Sequence, residues 1–249
     1  MSGRIQNFGI IQKENSFLMN SLPSPEKKAV MVQRMFDQIA PTYDRLNRII
    51  TFGLDQSWRK RLLKELEIGK KRRILDLACG TGDFAKTASK YGPDIIGIDF
   101  SLNMLRYAQK REIKNTLLVQ GDALALPLRE SSVDVVVSGF ALRNFSSIQP
   151  VFEEIYRILE SNGRLGLLEI DKPTSTFLKV SHSIYFTKIV PFIGGVLSDR
   201  KAYQYLPDSE KYLPTEIELF NMLEQSGFSE IKKKKLFGGV AQIVTALKR

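Results

Sequence analysis

Asp76, Asp83, Asp99 and Asp122 punctuate the first half of the chain, and Gly80-Thr81-Gly82 lies between the first two. Residues 74–77 are apolar apart from Asp76, the glycines make a turn that lets backbone approach a ligand closely, and helical spacing resumes at Phe84. An open parallel sheet offers a cofactor site with that succession of strand, glycine turn and helix, at the carboxyl end of a strand. Gly80, Gly82 and Ala85 also satisfy the dinucleotide fingerprint G-x-G-x-x-G/A, with Asp99 about 20 residues further on, where a ribose-binding acid belongs.

Charge separates two kinds of ligand. A pyrophosphate lies over such glycines and on the helix N-terminus, and here it would meet the carboxylates of Asp76 and Asp83. S-adenosylmethionine has no phosphate and carries a sulfonium and an ammonium, so the same acids would attract it. Asp83 as a mere helix cap, favoured by the helix dipole, would need neither the glycines nor the other acids. Asp99 and Asp122 stand at or just past the next two strand ends. Asp99 is placed to accept from both ribose hydroxyls, and Asp122 with the Ala123 main chain to read an adenine edge. The pattern points to a methyl-donor site, with a nicotinamide-dependent oxidoreductase as the alternative.

The elements that must position these residues alternate. Short apolar strands are expected at 73–77, 94–98, 116–120, 133–138 and 164–170, with helices from Phe84 to Gly92, Ser101 to Arg111 and 148–159, the last closing at Ser161-Asn162-Gly163. That alternation predicts a parallel α/β sheet covered on both faces. A helical leader over 24–70 precedes it, started by Ser24-Pro25, stopped by Pro41 and interrupted near Gly53. It reads as a packing helix pair or as a lid over the site. Residues 1–23 read as a flexible terminus. From 174 to 213 the alternation lapses into an insert rich in aromatics, including Phe177, Tyr185, Phe192, Tyr203 and Tyr212, which suits ordinary core or a pocket for a flat ring with an apolar tail. A helix capped by Thr215 and ended by Gly227 then leads into two strands, 229–236 and 240–247, joined closely enough at Phe237-Gly-Gly239 to be antiparallel.

Composition narrows the partners. One cysteine, Cys79, and one histidine, His182, distant in sequence, argue against a disulfide, a Cys–His nucleophile and a metal site, and fit a reducing compartment. With no signal peptide and no long apolar run, the sequence predicts a soluble cytoplasmic protein. The net charge of +10 suggests peripheral contact with an anionic membrane surface, at the inner face. Its basic residues are scattered apart from 70–73 and 232–235 and lack an aromatic-basic motif, so nucleic acid is not expected. A homodimer stays open.

Several stretches carry a resemblance. Met35-Phe-Asp-Gln-Ile-Ala-Pro-Thr-Tyr-Asp44, Leu75-Asp-Leu-Ala-Cys-Gly-Thr-Gly-Asp83, Gly121-Asp-Ala-Leu-Ala-Leu-Pro127, Phe140-Ala-Leu-Arg-Asn144, Leu168-Glu-Ile-Asp-Lys-Pro173 and Ala202-Tyr-Gln-Tyr-Leu-Pro-Asp-Ser209 together resemble the menaquinone/ubiquinone biosynthesis C-methyltransferases. The resemblance implies a single seven-stranded, mostly parallel, doubly wound methyltransferase domain over 24–249 that uses S-adenosylmethionine to C-methylate a prenylated hydroquinone, or another small lipophilic substrate. Carried over residue by residue, the resemblance implies Thr81, Asp99, Asp122 and Ala123 as cofactor contacts, with Gly139 where some relatives have Ser; the reading of the strand end and glycine turn adds Asp76, Gly80 and Gly82. The sequence departs from the family pattern at Cys79, Ala141, Asp171 and Ser161-Asn-Gly163, each by a small or turn-compatible change.

The chemistry implied asks for an aligned attack and an electron-rich ring carbon. Arg143 is expected to stabilise the developing phenolate, and Asn144 and Tyr43 to position the hydroxyl or a water relay. Arginine as a literal base is disfavoured by its pKa.

Overall fold

The computed structural model describes residues 24–69, 72–171 and 209–249. The expected flexible terminus at 1–23 and nearly all of the aromatic insert lie outside them.

The leader forms three helices, α1 (Pro25–Ile39), α2 (Tyr43–Ile50) and α3 (Leu54–Glu65). Ser24 caps α1 with Pro25 in its first turn, and Gly53, in the left-handed region at φ 74°, makes the expected break before α3. The sheet is built from β1 (Arg73–Leu77), β2 (Asp94–Asp99), β3 (Thr116–Gln120), β4 (Val133–Gly139), β5 (Leu159–Ile170), β6 (Ser229–Leu236) and β7 (Ala241–Leu247). Between them stand α4 (Asp83–Ala88), α5 (Leu102–Gln109), α6 (Gln149–Ile158) and α7 (Glu216–Gln225). Thr215 starts α7 with a capping box shared with Glu218, a device worth about 1 kcal/mol.

The seven strands lie in the order β3-β2-β1-β4-β5-β7-β6. Only β7 runs against its neighbours, pairing antiparallel with both β5 and β6, so the sheet is mostly parallel as expected. β1 and β4, at its centre, are buried over nearly their whole length, which is why 74–77 and 133–138 read as almost continuous apolar runs. One face packs on α6 and α7 through Phe152, Ile155, Leu219 and Leu223, the other on α3 and α4 through Trp58, Leu62, Phe84 and Ala85.

One boundary differs. Strand β5 begins at Leu159, where a helix end and a Ser161-Asn162-Gly163 turn are expected from the sequence. Leu159 already pairs with Val133, and the register then slips before Val135 meets Arg164, with Asn162 left-handed at φ 62°. The turn-forming residues are absorbed as an irregularity in a strand.

Candidate active site

A cavity opens where β1, β2, β3 and β4 end. Its floor comes from Ala78 and Gly80, Asp99 and Phe100, 121–124, and 139–141 with 144–146, and α1 and Tyr43 close it from outside through Ala29, Val32 and Phe36. The crossovers on either side of β1 leave in opposite directions, and an open α/β sheet binds ligands at that switch point. Two non-glycine residues of the floor adopt left-handed backbone, Ala78 at φ 55° and Phe140 at φ 60°. Strain of this kind costs of order 1–3 kcal/mol and persists where surrounding structure fixes it. Phe140 is fixed between Trp58, 6.5 Å away by ring centroids, and the guanidinium of Arg59 at 5.6 Å.

Of the residues selected from the sequence, Gly80, Asp99, Asp122, Ala123, Gly139, Asn144 and Tyr43 line this cavity. Asp99 Oδ2 accepts from the Gly80 amide at 2.7 Å and Oδ1 from the Ser101 amide at 2.8 Å. Burial pushes its pKa up to about 6 despite those amides, as expected of a carboxylate that could accept more hydrogen bonds than it has. Asp122 Oδ1 accepts from the Leu124 amide at 3.0 Å, which sets the turn carrying Ala123. At Gly139 a Cβ would come within 2.7 Å of Phe84 Cε2, so glycine is required there by packing.

Asp76, Thr81 and Gly82 stand behind the cavity wall. Asp76 is buried, accepts from the Ala85 amide at 2.9 Å, and is pushed up to about 7 by burial. Gly82 is left-handed, and a Cβ on it would meet Ile113 Cδ1 at 2.7 Å. The Thr81 hydroxyl is spent on the leader: it donates to Asp44 Oδ1 at 2.6 Å. Cys79 is a buried thiol, raised by burial, against Gly97.

The charge expectation for Asp83 fails. It neither caps α4 nor faces the cofactor side. Arg48 donates to both of its oxygens at 2.9 Å, Arg111 donates at 2.8 Å and Arg59 lies at 3.8 Å. The same arginines reach Asp55, from Arg48 and from Arg59 at 2.5 Å, and Asp44, from Arg111. Burial would raise Asp83, but Arg59, Arg111 and Arg48 outweigh it and hold its carboxyl below the usual range. Three arginines and three aspartates thus weld α2, α3 and the end of α5 to the glycine turn. These arginines were not singled out from sequence; the one local sign was the i,i+4 pair Asp55–Arg59 on an otherwise core-facing helix.

The opposite wall follows β4. Leu142–Asn144 form one turn of 3-10 helix that buries Arg143 and leaves Asn144 on the cavity, its Nδ2 donating to Phe140 O at 3.3 Å. Arg143 does not line the cavity, yet its charge acts on Tyr43 and on Glu169. Tyr43 is partly buried, and desolvation raises its phenol above the ordinary value, so it faces the cavity neutral. Two residues went unread. Glu169, at the end of the apolar run of β5, is buried and accepts from the Ala141 and Leu142 amides at 2.8 and 2.9 Å. Lys28 of α1 donates to Phe145 O at 2.6 Å and lies 3.9 Å over the Tyr212 ring, joining leader, wall and the end of the insert. An acid inside an apolar strand was the available signal for Glu169; nothing local marks Lys28.

A mostly parallel seven-stranded sheet of this order, with a glycine turn after its central strand β1, is the S-adenosylmethionine-dependent methyltransferase fold. Among solved structures, the SAM-dependent methyltransferase TM1293 of Thermotoga maritima, a possible histamine N-methyltransferase by its description, superposes with a TM-score of 0.64 over 88% of this chain and 100% of that one, at 19% identity. The chain belongs to the ubiE/COQ5 methyltransferase family, whose model matches residues 24–248. It is 38% identical to the demethylmenaquinone methyltransferase of Roseiflexus castenholzii over 92% of this chain and 98% of that protein. It is also 38% identical to the ubiquinone/menaquinone biosynthesis C-methyltransferase UbiE of Syntrophotalea carbinolica, over 84% and 90%. The protein is therefore a methyltransferase that uses S-adenosylmethionine, and the dinucleotide reading is set aside.

Proposed function

We propose that the protein methylates a ring carbon of a prenylated hydroquinone of the demethylmenaquinol or ubiquinol-precursor type. The observation that carries this reading is the family match along almost the whole described chain, joined to a cavity with ribose-binding chemistry on one side and Tyr43 and Asn144 on the other. The cofactor side fits S-adenosylmethionine: Gly80 offers main chain without a Cβ, Asp99 has acceptor capacity left for two hydroxyls, and Asp122 with Ala123 borders the adenine position. Asp76, Thr81 and Gly82 support this side by holding the turn rather than by contact.

Bound there, S-adenosylmethionine supplies a methyl group already electrophilic on its sulfonium. The protein's own residues then have two tasks. They must hold the ring carbon in line, and let the neighbouring hydroxyl lose its proton so that electron density reaches that carbon. Tyr43 and Asn144 hold the hydroxyl or a water beside it. Arg143, from behind the wall, stabilises the phenolate charge as it grows. The ring C–H proton leaves after transfer and restores aromaticity.

The substrate's prenyl tail implies a lipid source. No helix among the described residues is long and apolar enough to cross a membrane. Peripheral contact is supported by the net charge of +10 and by the exposed rings of Phe52 and Phe237. Purified protein with methyl-labelled S-adenosylmethionine and short-tailed demethylmenaquinol should give a ring-methylated product by mass spectrometry. Labelled S-adenosylmethionine left unconsumed in the presence of each reduced quinone precursor would sink the substrate assignment.

A further inference from the structure

Glu169 is a buried acid that the transfer scheme above leaves without a task. Its Oε1 takes both the Ala141 and Leu142 amides, and its Oε2 is buried with no hydrogen-bond partner. A carboxylate so placed is costly, because each unsatisfied buried acceptor loses the water it had. Among the described residues the charged side chain that bears on it is Arg143, one turn along, and the field of Arg143 also reaches Tyr43 on the cavity. On β7 its register partner is Gln242, whose Nε2 donates to Ile170 O. By its amide bonds Glu169 thus holds the turn on which the buried Arg143 and the cavity-lining Asn144 stand.

Resting on the methyl-transfer reading, we infer that Glu169 is a positioning residue of the reaction: its carboxylate anchors the turn 141–144 and orients the Arg143 guanidinium toward the wall that Tyr43 forms. Two parts of the site depend on it differently. The amide bonds set where Asn144 sits, and they need only an acceptor. The charge sets how Arg143 is held, and it needs the ionised form. Burial raises the Glu169 carboxyl to about 7, with the Leu142 amide, Arg143 and the Ala141 amide opposing it, so the charge is gained near neutral pH. Turnover should therefore rise through pH 7 as the carboxylate forms.

Glu169→Gln separates the two parts, because the amide keeps an acceptor and loses the charge. It should bind S-adenosylhomocysteine within about threefold of wild type, lose at least tenfold in kcat, and lose the inflection near pH 7 that wild type shows. Wild-type kcat with that inflection intact would overturn the inference. A second readout needs no substrate: the side-chain 15N resonances of Arg143 in wild-type protein, followed from pH 5 to 9. A step near pH 7, flat in Glu169→Gln, supports the inference; no step in wild type overturns it. Should no reduced quinone be methylated by wild type, the functional reading fails and the Arg143 titration still decides the role of Glu169.

Discussion

Two sets of acids flank the glycine turn, and they are treated in opposite ways. Asp44, Asp55 and Asp83 are met one for one by Arg48, Arg59 and Arg111, with no place for a ligand's charge. Asp76, Asp99 and Glu169 are served mainly by backbone amides and are all raised by burial, to about 7, 6 and 7. The first set joins pieces of chain that are distant in sequence. The second stands around the cavity with amides in place of cations, where buried acids of altered pKa concentrate. The same residue type therefore builds architecture on one side of the turn and chemistry on the other, and only partners and burial tell them apart.

The largest effect is expected in the paired set. Asp83→Asn removes the carboxylate that three arginines share, leaving Arg59, with 5% of its side chain exposed, only Asp55 as acidic partner. Breaking a buried pair from one side costs roughly 3–5 kcal/mol, and the partly exposed Arg48 and Arg111 place the expectation at the lower end. Urea unfolding should show a loss of about 3 kcal/mol. An unchanged unfolding free energy would mean that the arginines are content without Asp83, and the first half of the contrast would go.

Next comes Asp99→Ala, which tests the unpaired set. Loss of charged hydrogen bonds to the ribose hydroxyls should weaken S-adenosylhomocysteine by roughly 1.5–3 kcal/mol in calorimetry. Stability at neutral pH should fall far less than for Asp83→Asn, because burial already disfavours the Asp99 carboxylate. Equal affinity for mutant and wild type would remove Asp99 from the ligand.

The two sets also respond to pH with opposite sign. Asp76 is raised from its ordinary 3.8 to about 7, so its contribution to stability is fully present below about pH 4 and is lost as pH rises through about 7. Asp83 is lowered, so its contribution is present above the ordinary carboxylate range and is lost on acidification. Asp76→Asn should gain steadily on wild type between about pH 4 and 7, then run parallel to it. A gap that instead widens toward low pH would place Asp76 in the paired class.

The contrast explains what the sequence could and could not disclose. Strands β1 and β4 were legible because burial on both faces writes them as apolar runs, and the acids at the ends of β1, β2 and β3 mark the edge where ligands bind. The start of β5 was not, because Ser161-Asn162-Gly163 has turn chemistry and only pairing with β4 keeps it in the sheet. Asp99, Asp122 and Tyr43 line the cavity. The role of Asp83 was misread because its partners come from 35 residues before it and 28 after, and no local pattern announces them. Glu169 was quoted within a motif and given no task, since its meaning depends on a turn one strand away.

Thr81 lies on the seam between the two sets, and its prediction is the smallest. It belongs to the glycine turn that supports the cofactor side, yet it is buried and its hydroxyl is held by Asp44 of the leader. Thr81→Val keeps shape and removes that hydroxyl. Because Asp44 keeps Arg111 and is itself partly exposed to water, the loss should be about 1 kcal/mol of stability, below the usual worth of a hydrogen bond to a fully buried charge. Affinity for S-adenosylhomocysteine should change by less than twofold, since the side chain stands behind the wall. A tenfold fall in affinity with unchanged unfolding would assign Thr81 to the ligand-facing side and move the seam to the other side of Gly80. Loss of both in proportion would mean that the leader and the cofactor turn order each other, so that the paired acids govern binding through the position of the turn.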